Sequence, residues 1–156
     1  MIDVVFYYQN SKKEAVRELI IKSLTTAVST LISLPNTIEI CIYRLPDSVY
    51  GGIDKYTPHR IGLNSLLALP DIPEILVHEL IHVSQRHTKL LEIKNNGTYY
   101  WRGIPYHNVM PENLEYDDYK NSPWEIDVDN KIDKLLTEAL MLSQKQHLST
   151  IDSESK

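Results

Sequence analysis

The amino-acid sequence predicts an α+β fold, and three observations carry that reading. Short β-branched or aromatic runs mix irregularly with amphipathic helical stretches. An Asn95-Asn96-Gly97 turn signal breaks any regular strand–helix alternation, whereas a wound parallel sheet would keep it. Of 156 residues, 42% are apolar and 24% charged, which suits one packed core rather than a disordered chain.

The elements follow in order. Residues 2–8 form an apolar and aromatic run that reads as a strand. Ser11-Lys12-Lys13-Glu14 fits a capping box ahead of a helix whose apolar residues, Ala15 to Ile32, recur at helical spacing until Pro35-Asn36. Residues 37–45 alternate and read as a second strand; 46–58 read as a loop around Gly51-Gly52. Residues 60–64 suit a short third strand at a sheet edge. Asp71-Ile72-Pro73-Glu74 resembles a capping box and opens a helix to about His87. Residues 90–106 look like a hairpin, and 110–121 like a polar loop rich in tyrosine. Ser122-Pro123-Trp124-Glu125 is a third capping box, before a helix to about Gln144. The expected organisation is one domain over 1–145 and a loose tail over 146–156.

Charge and cysteine content exclude several functions. Sixteen basic residues stand against 21 acidic ones, a net charge of -5, and no basic block appears. Non-specific nucleic-acid binding needs such a block to neutralise phosphates. Cys41 is the one cysteine, so neither an intrachain disulfide nor a four-thiolate metal site can form. No apolar run approaches the ~18 residues of a membrane-spanning helix. The chain begins without a basic segment followed by an apolar run, so a cytoplasmic protein without a signal peptide is expected. In that setting the Asn96-Gly97-Thr98 sequon has no role. The sequence leaves the oligomeric state open.

Chemistry concentrates in His78-Glu79-Leu80-Ile81-His82, an H-E-x-x-H motif on the second helix. Histidines four apart lie about 40° apart around a helix, so both imidazoles can reach one metal ion. Glu79, about 100° from His78, can flank an open coordination position and take a proton from water there. Zinc suits nitrogen and oxygen ligands in a tetrahedron. A plainer reading makes the sector holding Glu74, His78, Glu79, His82, Gln85 and Arg86 a solvated helix face.

A third ligand is needed. The long zinc motif would require glycine at Gln85 and histidine at Thr88, so that class is excluded. His87 points away from His78. Glu125 is the best candidate, because Val128, Asp129, Ile132, Leu136 and Ala139 all fall within about 60° of it on the last helix. The plainer alternative makes Glu125 a capping glutamate, three residues after Ser122. That explanation leaves Asp129 unaccounted for in the same apolar stripe. Asp129 would instead accept the far N–H of a ligand histidine.

HELIH followed by SPWEIDVDN resembles the gluzincin group of zinc peptidases. The chain's short length and the run YYWRGIPY before PWEID resemble small phage-encoded and bacterial members, of the minigluzincin and zincin-like kind. The resemblance covers roughly residues 60–140. It implies a zincin-like fold, a small mixed sheet whose edge strand lies over the helix carrying the motif. It also implies Zn²⁺ held by His78, His82 and Glu125, with Asp129 supporting a ligand histidine. Glu79 would act as general base in hydrolysis of a peptide or protein. Larger members carry N-E-x-x-S-D around the third ligand, where this chain has Trp124-Glu125-Ile126-Asp127-Val128-Asp129. The sequence at 60–64 would be the edge to which an extended peptide adds as a strand.

Tyr106, His107, Tyr116 and Tyr119 are the candidate donors to a developing oxyanion. His107 has no spacing partner, and His59, beside the proposed edge strand, is expected to be an ordinary histidine. Trp101 and Trp124 are expected to pack near the site, and Tyr99-Tyr100-Trp101 to pack as part of the hairpin. The alternative to an enzyme is a non-catalytic zincin-like module that binds metal or a protein partner; a third reading makes the motif accidental.

Overall fold

Alternation along one strand decides how the main sheet is built. In the second strand, β2 (Thr37–Tyr43), Ile38, Ile40 and Ile42 are fully buried, and the residues between them are half-exposed. One face therefore packs on helices and the other is open. The computed structural model describes residues 1–106 and 119–155. Around β2 lie β1 (Asp3–Tyr8), β3 (Gly51–Ile53) and β4 (Arg60–Asn64), in the spatial order β1-β2-β4-β3. β1 and β4 pair with β2 in parallel, and β3 runs antiparallel to β4. This mixed sheet, with helices on one face, confirms the α+β class.

Helices α1 (Ala15–Ser29), α2 (Ile72–His87) and α3 (Pro123–Glu154) pack against one another. Ile21, Leu24 and Val28 of α1, Leu76, Val77 and Leu80 of α2, and Val128, Leu135 and Ala139 of α3 meet the sheet's isoleucines in one core. A three-stranded antiparallel sheet, β5 (Leu91–Ile93), β6 (Tyr99–Trp101) and β7 (Ile104–Tyr106), follows α2. No helix among the described residues is long and apolar enough to cross a membrane.

Several expectations need correction. Residues 60–64 are an internal strand; the edge beside it is β3, inside the stretch read as a loop. Its two glycines weaken any strand signal, yet Gly51 is required there. A Cβ on Gly51 would lie 3.1 Å from the Gly62 oxygen and 3.1 Å from Cγ2 of Ile75 on α2. Glycine thus lets the edge strand run close over the helix.

The hairpin is a three-stranded meander. Arg102 and Gly103, both with positive φ (52° and 78°), make a second tight turn between paired Trp101 and Ile104. None of the three capping boxes forms. The Ser11 hydroxyl donates to the Ile42 carbonyl, Asp71 is spent in a 3₁₀ turn, and Glu125 faces the histidines. Helix α1 ends at Ser29, and α3 continues through the stretch read as a tail as far as Glu154.

Candidate metal centre

The motif helix is framed on three sides. Apolar Leu76, Val77, Leu80 and Ile81 anchor α2 to the core, which leaves His78, Glu79 and His82 facing α3 and β3. Beyond the exposed Glu74, that sector is not a solvated face. Glu79 and His82 are each 7% exposed, Gln85 is 1% exposed, and His78 is half-buried.

Three side chains converge. Nε2 of His78 and Nε2 of His82 lie 3.2 Å apart. Glu125, in the first turn of α3, places Oε1 2.9 Å from His82 Nε2 and Oε2 3.5 Å from His78 Nε2. A tetrahedral site with bonds of ~2.0–2.1 Å has ligand–ligand edges of about 3.3 Å, so these separations suit a small divalent cation. Glu125 is buried, and its Oε1 makes no well-aligned hydrogen bond despite the nearby imidazole. A buried carboxylate oxygen whose only close donor is poorly aligned is costly, and a cation relieves that cost. His78, His82 and Glu125 are the one group of histidine and carboxylate ligands among the described residues able to hold a metal ion.

Electrostatics divides the site. Burial pushes the Glu79 carboxyl up to about 7, helped by the charge of Glu125 and opposed by His82. Burial and the neighbouring His82 hold His78 below the ordinary histidine value, against the pull of Glu125 and Asp129. His82 is also opposed by burial, but its contact with Glu125 outweighs this and lifts it above the ordinary value. Glu125 is held below the usual carboxylate range: burial works against that shift, and the contact with His82 prevails.

Tyr119 reaches Glu125 through its hydroxyl, and burial followed by that carboxylate raises its pKa. Among the proposed oxyanion donors, Tyr119 thus stands at the centre. Tyr106 packs edge-on to Trp124, with ring centroids 5.1 Å apart. His107 and Tyr116 lie outside the described residues. A cleft of about 310 Å³ opens beside Glu79, His82 and Tyr119. The edge strand Gly51–Ile53 forms one wall, and Leu91, Tyr99 and Trp124 form another. Tyr99 stacks on Trp124 with ring centroids 5.2 Å apart, so the meander is held against α3 at the cleft. Arg86 donates to the carbonyls of Asp54 and Lys55, which ties the exit of β3 to α2. A larger cleft, near 360 Å³, lies on the opposite face of the sheet, away from the His–Glu cluster. His59 lies 3.6 Å from Glu39 on that face.

Asp129 is placed differently from expectation. It is exposed, and among the described residues no hydrogen bond or ion pair joins it to a histidine; it acts on His78 through its charge. The buried residues of α3 are Trp124, Glu125, Val128, Leu135 and Ala139. Their mean direction lies about 50° from Glu125, on the side away from Asp129. The far nitrogen of His82 meets Gln85 instead, with Nδ1 2.8 Å from Oε1. The spacing of Gln85, one turn beyond His82 on the motif's own face, was the signal that could have found it.

Comparisons of the chain with protein-family models, with characterised proteins and with solved structures find no match. The chemistry of the site therefore rests on its own residues.

Proposed function

We propose that this chain is a zinc-dependent metallopeptidase of the small, zincin-like gluzincin kind, acting on an extended peptide or protein segment. One observation carries the reading. Two imidazoles and a carboxylate sit at tetrahedral spacing with a second, separate carboxylate, Glu79, buried beside them. A purely structural site closes its ligand shell and has no use for that second acid.

Zinc held by His78, His82 and Glu125 would supply Lewis-acid polarisation of a water and of a peptide carbonyl. Glu79 takes the proton from the attacking water and delivers it to the leaving amine. Burial holds this carboxyl near 7 in the metal-free protein, and the charge of a bound cation would lower it toward the ionised, proton-accepting form. Among the described residues, the Tyr119 hydroxyl lines the cleft and would serve as a donor to the developing oxyanion on turning from Glu125, which it meets in the metal-free protein. Among the described residues no strand pairs with the outer edge of β3, which offers backbone groups to an extended substrate, and the cleft beneath it is walled by Leu91, Tyr99 and Trp124.

Zinc quantification paired with hydrolysis of a peptide library tests this reading. Wild type is expected to bind about one equivalent of zinc and to cleave peptides. Glu79→Gln should keep the zinc and lose hydrolysis, and His78→Ala should lose both. Zinc binding without hydrolysis by the wild type would overturn the peptidase reading and leave a metal-binding module.

A further inference from the structure

We propose that Gln85 is the positioning residue of the metal centre: its side-chain amide sets the tautomer of His82 and grips the turn of α3 that carries Glu125. The proposal rests on the metal-binding part of the reading above and not on peptide hydrolysis.

The amide can point only one way. Nε2 of Gln85 donates to the backbone oxygen of Trp124 and to Oδ2 of Asp127, each at 2.9 Å. Both partners are acceptors, and Asp127 also accepts from Nζ of Lys131 at 2.8 Å. Reversing the amide would set its oxygen against two other oxygens at a site 1% exposed, which leaves buried groups unsatisfied. Oε1 must therefore face His82 Nδ1, 2.8 Å away. An amide oxygen accepts, so the proton belongs on Nδ1, and the lone pair of the neutral ring belongs on Nε2. Nε2 is the atom that converges with His78 and Glu125. The opposite tautomer would turn an N–H into the metal position and face a lone pair toward Oε1.

The same amide acts on the third ligand. Trp124 and Asp127 flank Glu125 in the chain, so Gln85 holds the turn on both sides of it. One side chain thus couples the histidine helix to the glutamate helix. Without it, the cluster would have to find both the tautomer and the helix register as metal binds.

Zinc titration of the full chain against a competing chelator tests the proposal, together with ¹⁵N NMR of the histidine rings in the zinc-loaded protein. Wild type should show His82 ligated through Nε2 with the proton on Nδ1. Gln85→Leu should bind zinc 10–100-fold more weakly, the range expected for loss of a partner behind a ligand. Its His82 resonance should lose the single Nδ1–H form. Gln85→Glu should also weaken binding, since its second oxygen faces Trp124 O and Asp127. The double variant Gln85→Glu/Asp127→Asn supplies a donor at 127 and should recover affinity, which a merely space-filling role would not produce. Because Gln85 is wholly buried, Asp127→Ala at a half-buried position provides an independent variant, again with weakened binding expected. Folded Gln85→Leu with wild-type affinity and an unchanged His82 resonance would overturn the proposal. A wild type that binds no zinc would instead bring down the metal reading itself.

Discussion

Nε2 of His82 lies 2.9 Å from Oε1 of Glu125, which ties the middle of α2 to the first turn of α3. In the metal-free protein this is a buried pair in which each partner shifts the other toward its charged form. A divalent cation would replace the proton between them. Ligand binding to the folded state alone adds about 2.7 kcal/mol of stability at a hundredfold excess over Kd. Thermal melts of wild type with and without zinc should therefore separate. Glu125→Gln, which keeps the shape and removes the charge, should abolish that separation. A retained shift in the variant would place the metal elsewhere.

The buried Glu79 makes a pH prediction. Its folded-state pKa near 7 exceeds the ordinary 4.5, so the folded state binds the extra proton between those values. Stability from this group is present below pH 4.5 and is lost as pH rises through 7. The full loss is about 3 kcal/mol for a shift of this size. Metal-free Glu79→Gln carries no such loss. Its stability relative to wild type should climb between pH 4.5 and 7.5 and then level off, as read by urea denaturation at a series of pH values. A difference independent of pH would show that Glu79 is ionised throughout.

Residue periodicity made much of this legible and explains the rest. The histidine pair and Glu79 could be read because their geometry depends on one helix alone. Glu125 could be read because a carboxylate in an apolar stripe needs a reason. Asp129 was misplaced because Trp124 and Leu135 pull the buried face of α3 round, away from it. Asp127 lies on the side of α3 opposite Glu125, yet it reaches Gln85, because two helices packed side by side meet along more than one stripe. Edge strand β3 was hidden because a Gly-Gly pair gives no strand signal, and its pairing with β4 is a tertiary choice.

The position of Asp129 has a measurable consequence. A carboxylate bonded to a ligand histidine typically matters 10–100-fold to metal affinity. Here Asp129 is exposed and influences His78 by charge alone. Asp129→Asn should therefore weaken zinc binding far less than Gln85→Leu in the same chelator competition. The residual effect should shrink as salt is raised, because exposed charges are screened. A large, salt-independent loss in Asp129→Asn would mean that its side chain bonds directly to His78 when the metal is bound.

The paired glycines of β3 give opposite expectations at adjacent positions. A Cβ at 51 meets the Gly62 carbonyl and Ile75 at 3.1 Å and Leu63 at 3.3 Å, whereas a Cβ at 52 meets nothing within 4 Å. All three neighbours must give by a few tenths of an ångström, and the Gly62 carbonyl is backbone paired within the sheet, so Gly51→Ala is expected to shift the edge strand. Overpacking of this kind costs typically ~1–3 kcal/mol. Because β3 forms one wall of the cleft beside Glu79 and His82, the displacement should also raise KM for peptide substrates more than it lowers kcat. Gly52→Ala should leave both stability and kinetics close to wild type. Paired melts and steady-state kinetics of the two variants would decide the matter: equal behaviour at 51 and 52 would show that the strand does not sit tightly over the helix.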